Sequence, residues 1–145
     1  MSRSRPQFAD RVFVDTSAFY AASDRNNRET DSARELITRL ISERNQLVTT
    51  NFVLAELHAL ILTRGNRQLA LAFLQGLRLS PALTIERVTE TDEQRAWEII
   101  EHYDDKAFSF ADAASFAVME RLRISVAFSL DRHFAQFGWT IIRER

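Results

Sequence analysis

Four carboxylates, Asp15, Glu56, Asp112 and Asp131, stand 41, 56 and 19 residues apart, and each falls where the local sequence pattern changes. Asp15 closes the apolar run Val12, Phe13, Val14 and is followed by two hydroxyl residues, Thr16 and Ser17. Asp131 closes a second apolar run, Ile124 to Leu130, and is followed by Arg132 and His133. Asp112 stands three residues after Ser109, in the first turn of an alanine-rich helical stretch. Glu56 lies roughly one and a half helical turns past the short run Leu47 to Thr49. It shares a stripe with Phe52, Ala59 and Leu60, so its side chain is expected on the packed side. Taken singly, each acid has a plainer explanation. Asp15 and Asp131 could cap helices, Asp112 could answer the orphan amides of a first turn, and Glu56 could be a boundary residue paired with an arginine. Taken together they ask for more. Carboxylates brought close repel one another unless a proton or a cation compensates them, and hard oxygen donors suit Mg²⁺ or Mn²⁺.

Whether they converge depends on the elements that carry them. Arg11 to Asp15 reads as a strand covered on both faces, because its apolar residues are continuous rather than alternating. Thr16 and Ser17 start a helix or turn, and Asp24 to Glu29 is a polar loop. Thr30 or Asp31 caps a helix to about Glu43, with Ala33, Leu36, Ile37, Leu40 and Ile41 at helical spacing. Leu47 to Thr49 is a short strand. Asn51 caps a helix through Leu62, and Arg64, Gly65 and Asn66 break it before a further helix over 67–77. These two helices form an inserted hairpin. Leu83 to Val88 alternates like a strand. Thr91 and Gln94 resemble a capping box for a helix to Tyr103 with Ala96, Trp97 and Ile100 inward. Ser109 caps a helix through Leu122, Ile124 to Leu130 is an apolar strand, and Trp139 to Ile142 is a last strand after a turn or short helix over 131–134. Strands alternating with helices imply one α/β domain with a mainly parallel sheet. In such a sheet, the places just after strands gather on one edge, where ligands bind.

Composition narrows the class. At 145 residues, 46% hydrophobic and 27% charged, the chain has the size and make-up of one folded domain. It has no cysteine, which excludes disulfides and thiolate metal sites. No apolar run is long enough to span a bilayer, and Met1 to Asp10 lacks the apolar core of a secretory signal, so a cytoplasmic protein with no membrane partner is expected. Net charge is −1, without the overall basic excess common in nucleic-acid binders. Any phosphate contacts must therefore come from local arginines. Arginine is abundant, Lys106 being the sole lysine among 19 basic residues, and its planar fork suits phosphate.

Four segments together resemble the PIN-domain family, in particular the toxin nucleases of VapBC-type toxin–antitoxin modules. They are Phe13 to Tyr20 (FVDTSAFY), Thr50 to Glu56 (TNFVLAE), Ser109 to Phe116 (SFADAASF, followed by Met119) and Ala127 to Phe134 (AFSLDRHF, followed by Gly138). They occur in the family's order and span about Val12 to Ile142. The resemblance implies a three-layer α/β/α domain with a twisted, mainly parallel central sheet and a helical hairpin insertion, filling residues 1–145. It implies that Asp15, Glu56, Asp112 and Asp131 form the acidic quartet that holds Mg²⁺ or Mn²⁺, with Thr16 or Ser17 in support. It further implies an RNA substrate, phosphodiester hydrolysis, a cognate antitoxin and a homodimer. Arg25, Arg28, Arg64, Arg67, Arg132 and His133 are candidate phosphate contacts, and Tyr20 is a candidate for stacking on a base, whereas Phe19 reads as core.

Other readings stay open at this level. A PIN-type nuclease of RNA processing would carry the same motifs, and a non-catalytic RNA- or protein-binding scaffold would lack metal-dependent turnover. A phosphatase is disfavoured because no second aspartate directly follows Asp15. A receiver domain is disfavoured because Lys106 is not at a strand end.

Overall fold

The computed structural model describes residues 11–23 and 30–142. The element order is β1 (Arg11–Val14), α1 (Thr16–Ser23), α2 (Thr30–Ser42), β2 (Gln46–Thr50), α3 (Asn51–Arg64), α4 (Arg67–Leu79), β3 (Leu83–Glu86), α5 (Glu90–His102), α6 (Phe110–Leu122), β4 (Val126–Phe128), α7 (Arg132–Phe137) and β5 (Thr140–Ile141). The five strands form one sheet in the order β3-β2-β1-β4-β5, and every pairing is parallel. This is the expected α/β architecture, with α3 and α4 as the hairpin inserted between β2 and β3.

The central strand explains the layering. Val12, Phe13 and Val14 point alternately to opposite faces, and all three are fully sequestered, so helices cover both sides of the sheet. Phe13 stacks on Phe134 of α7 at 6.0 Å, and Phe134 meets Phe116 of α6 edge-on at 4.9 Å. The alanines of α6 allow close approach: Ala113, Ala114 and Ala117 are all buried. After β1 the chain crosses first to the β2 side and later to β4 on the other side. The C-terminal ends of β1 and β4 therefore border the point where the strand order reverses, the usual crevice of an open parallel sheet.

Several local expectations shift. Thr50, rather than Asn51, caps α3, its hydroxyl accepting from the Val53 amide. Asn51 reaches across instead and accepts from the Val88 amide at 2.8 Å. The buried seam of α3 is Val53, Leu57 and Ile61, while Ala55 and Ala59 are exposed. The capping box of α5 is Thr89 with Asp92, two residues before the expected pair. Trp97 is 55% exposed and lies over Phe110 at 4.7 Å rather than inside. Strand β4 is only three residues long, because Ser129 and Leu130 leave the ladder to serve the site described below. Gly65 ends α3 where a Cβ would sit 2.9 Å from the Ile61 carbonyl, and Gly138 closes α7 at a φ of 119°.

The α5–α6 face is held by charge. Arg121 donates to both oxygens of the buried Asp92 at 3.0–3.2 Å and to Glu86 at 3.2 Å. Burial pushes the Asp92 carboxyl up, but the Arg121 guanidinium, the Thr89 amide and the coulombic attraction together hold it below its ordinary range. Removing one partner of such a pair leaves a buried charge unmatched. Arg121→Ala is therefore expected to lower unfolding stability by about 2–3 kcal/mol near neutral pH. Its cost relative to the parent should shrink in urea titrations at acid pH, as protonation of Asp92 removes the charge. A variant as stable as the parent at pH 7 would show that the pair adds nothing.

Candidate active site

Asp15 begins the site. It follows β1 directly, and its amide donates to the Phe128 carbonyl at 3.1 Å, which ties the ends of β1 and β4 together. The residue is 5% exposed. Oδ2 accepts from Ser17 Oγ and from Ser129 Oγ, each at 3.0 Å. The two hydroxyls also lie 3.2 Å from one another. Ser17 Oγ accepts from the Leu130 amide, and Ser129 Oγ from the Asp131 amide, so both are anchored to the turn after β4. Burial pushes the Asp15 carboxyl up to about 6, aided by the nearby Asp112 charge and opposed by the Thr16 amide and the serine hydroxyls.

Asp112 comes from the first turn of α6. Its Oδ2 accepts from the Ser109 amide at 3.1 Å, and Ser109 Oγ accepts from the Asp112 amide at 3.0 Å, completing a capping box. Asp131 is the N-cap of α7, its Oδ1 accepting from the His133 amide at 2.9 Å. Both acids thus fill the capping roles that each could have had alone, and they still converge. His133 Nδ1 lies 2.8 Å from Asp112 Oδ2 and 3.3 Å from Asp131 Oδ1. One potential ligand atom from each of Asp112, Asp131 and His133 falls within 4.8 Å of the others. Asp15 joins this group through the serines and through its electrostatic coupling to Asp112.

Glu56 is placed differently from its expectation. It is exposed, outside the Val53, Leu57, Ile61 seam, and the described residues give it no fixed partner. The small apolar residues Ala55 and Ala59 made the wrong stripe look like the inner one. Among the arginines, Arg132 is exposed directly beside Asp131. Arg64 and Arg67 are exposed at the far end of the hairpin, and Arg64 stands 5.7 Å from the centre of the Tyr20 ring. Phe19 is core, at 1% exposure. Arg25 and Arg28 lie outside the described residues. Ser129 was missed by sequence reasoning, although Ser-x-Asp after β4 mirrors Asp-x-Ser after β1.

The donor set fits a hard divalent cation. Asp112 and Asp131 meet at the His133 ring, Asp15 lies within electrostatic reach of Asp112, and among the described residues no arginine or lysine is paired with the three. The hydroxyl of Thr16, next to Asp15, is buried with no hydrogen-bond partner. Unbalanced negative charge in a crevice, beside an unsatisfied hydroxyl, is the arrangement a cation relieves. An open recess of about 340 Å³ adjoins it, lined by Ser129, Leu130, Asp131 and Arg132 on one side and Ala33 and Leu36 of α2 on the other.

Fold and site define a family, and comparison with known proteins agrees. The PIN-domain model matches residues 12–139, and the chain belongs to the PIN-domain family. Among its relatives, the 23S rRNA-specific endonuclease VapC20 of Mycobacterium tuberculosis is 33% identical over 132 residues, covering 91% of this chain and 98% of that protein. Ribonuclease VapC26 of the same organism is 30% identical over 125 residues, covering 86% and 90%. The crystal structure of VapC20, described as a sarcin–ricin loop cleaving toxin, superposes with a TM-score of 0.84 at 32% identity, over 92% of this chain and 99% of that one. VapBC2 from Rickettsia felis, bound to a promoter DNA fragment, shares the fold alone, with a TM-score of 0.70 at 13% identity over 91% and 97%.

Proposed function

We propose that this protein is a divalent-metal-dependent endoribonuclease, the toxin of a toxin–antitoxin pair, and that it cuts a structured loop of ribosomal RNA. The observation that carries the reading is the gathering of Asp112 and Asp131 around His133, with Asp15 in electrostatic reach of Asp112 and no arginine or lysine paired to the three among the described residues. The likeness to VapC20 along nearly its whole length supports the substrate class.

Asp15, Asp112 and Asp131 would hold Mg²⁺ or Mn²⁺. When bound, the cation supplies charge neutralisation at the scissile phosphate and a more acidic water. The residues of the chain do the rest. Ser17 and Ser129 fix one oxygen of Asp15 and leave the carboxylate in a single orientation. The capping boxes and caps do the same for Asp112 and Asp131. Glu56, standing free near the start of α3, orients or deprotonates the attacking water. Arg132 takes a neighbouring phosphate, and Arg64 and Arg67 extend the basic track along the hairpin. Arg25 and Arg28 belong to the same proposal. The recess beside Ser129 and Asp131 accommodates a nucleotide next to the bond that breaks.

The chain acts as one nuclease domain in the cytoplasm; among the described residues, no helix is long and apolar enough to cross a membrane. It pairs with an antitoxin protein and with a second copy of itself. The apolar residues left exposed on the helices, Ile41 on α2 and Leu71 and Leu79 on α4, supply surface for those contacts. Purified protein incubated with a 23S rRNA fragment carrying the sarcin–ricin loop is expected to give one discrete cut with Mg²⁺ or Mn²⁺ and none with EDTA. Cleavage that persists in EDTA, or an intact loop in the presence of either ion, would refute the reading.

A further inference from the structure

His133 brings nitrogen to a centre otherwise built of oxygen. Its Nδ1 lies 2.8 Å from Asp112 Oδ2 and 3.3 Å from Asp131 Oδ1. In an octahedral site with bonds of ~2.1 Å, adjacent donors are about 3 Å apart. Both separations thus fit neighbouring donors on one ion as well as the direct contacts that the three side chains now make. The ring is also held in place. Its backbone amide is bonded to Asp131 Oδ1 at 2.9 Å, and the Phe108 ring packs against it edge-on at 5.6 Å. Asp112 does not need the histidine for its own orientation, since Oδ2 keeps the Ser109 amide.

We propose that His133 is a direct nitrogen ligand of the cation and that it biases this centre toward Mn²⁺ over Mg²⁺. The inference rests on the reading of the three aspartates as a cation centre. Magnesium is a hard ion that favours oxygen and keeps its waters. Mn²⁺ also favours oxygen, but as the first member of the transition series whose affinity for mixed nitrogen and oxygen sites rises toward Cu²⁺ it accepts an imidazole nitrogen more readily than Mg²⁺ does. On coordination the Nδ1 proton that faces Asp112 is released and the ring keeps its hydrogen on Nε2, so that Nδ1 offers its lone pair to the ion while Asp112 stays oriented by the capping box. A residue that only oriented the carboxylates would strengthen binding of both ions alike.

Mn²⁺ binding and pulsed EPR on the whole purified protein test this without RNA. The parent is expected to show the nitrogen coupling of a bound imidazole, changed to the ¹⁵N pattern when the protein is labelled with ¹⁵N-histidine. In His133→Gln the coupling should vanish and the Mn²⁺ dissociation constant should rise about tenfold or more. The Mg²⁺ constant, measured by competition, should change by less than about twofold. The parent measurement stands even if the variant does not fold. Absence of nitrogen coupling in the parent, equal weakening of both ions in the variant, or no Mn²⁺ binding at all overturns the proposal. Nitrogen-coupled Mn²⁺ on a protein that leaves RNA intact would reject the nuclease reading and leave this one standing.

Discussion

Asp112→Asn is expected to slow RNA cleavage at saturating metal by at least about a thousandfold, several kcal/mol of lost charge stabilisation. The substitution keeps the shape of the side chain, and an asparagine oxygen can still accept from the Ser109 amide that Asp112 now holds at 3.1 Å. The fold should therefore survive, which a thermal melt within a few degrees of the parent would show. What is lost is a negative charge at the meeting point of Asp131, His133 and Asp15. Single-turnover cleavage of a labelled RNA loop measures the effect. A rate within about tenfold of the parent would mean that Asp112 is a helix cap and little else.

Metal-free Asp15→Asn is expected to be more stable than the parent above pH 6, by on the order of 3 kcal/mol. Burial, first among the causes, lifts the Asp15 carboxyl from 3.8 to about 6. A raised carboxyl means that the folded state disfavours the charged form. Below about pH 4 the group is protonated in both the folded and unfolded chains, and no penalty exists. Between pH 4 and 6 the unfolded chain ionises first, so parent stability falls as pH rises through this window. Above it the penalty is complete. At pH 8 the asparagine variant should melt roughly 10 °C higher than the parent, and the difference should close near pH 4. Saturating Mn²⁺ should raise the parent and leave the variant almost unmoved. Equal melting points at pH 8 without metal would show that burial at Asp15 carries no electrostatic cost.

Much of this centre is legible in sequence because its positions are set by local rules. Asp15 and Asp131 end apolar strands, Asp112 lies in the first turn after the cap Ser109, and Glu56 lies near the start of α3, so all four acids are assigned to one sheet edge once the sheet is read as parallel. Glu56 escaped correct placement because periodicity on α3 is ambiguous. Ala55 and Ala59 count as apolar yet are small enough to face water, whereas Val53, Leu57 and Ile61 bury the larger area. The start of α5 was ambiguous in the same way. Thr89 and Thr91 each precede a residue able to complete a box, and the choice falls to Thr89 because Arg121, from a distant helix, draws Asp92 inward. Trp97 found its partner in Phe110, again across helices. Ser129 shows the limit most clearly. Its Ser-x-Asp pattern mirrors Asp15-Thr16-Ser17, but only the fold shows its hydrogen bond to a carboxylate so distant in sequence.

That bond joins residues 114 positions apart, and it has a bearing on biosynthesis. Asp15 is translated well before the strand and turn that complete its surroundings, Val126 to Asp131. A nascent chain folds progressively as it is made, yet no product that stops before Asp131 contains the finished centre. A chain that stops short of Ser129 should therefore lack the finished site, and a growing polypeptide gains it only once Asp131 has been added and β4 has docked beside β1.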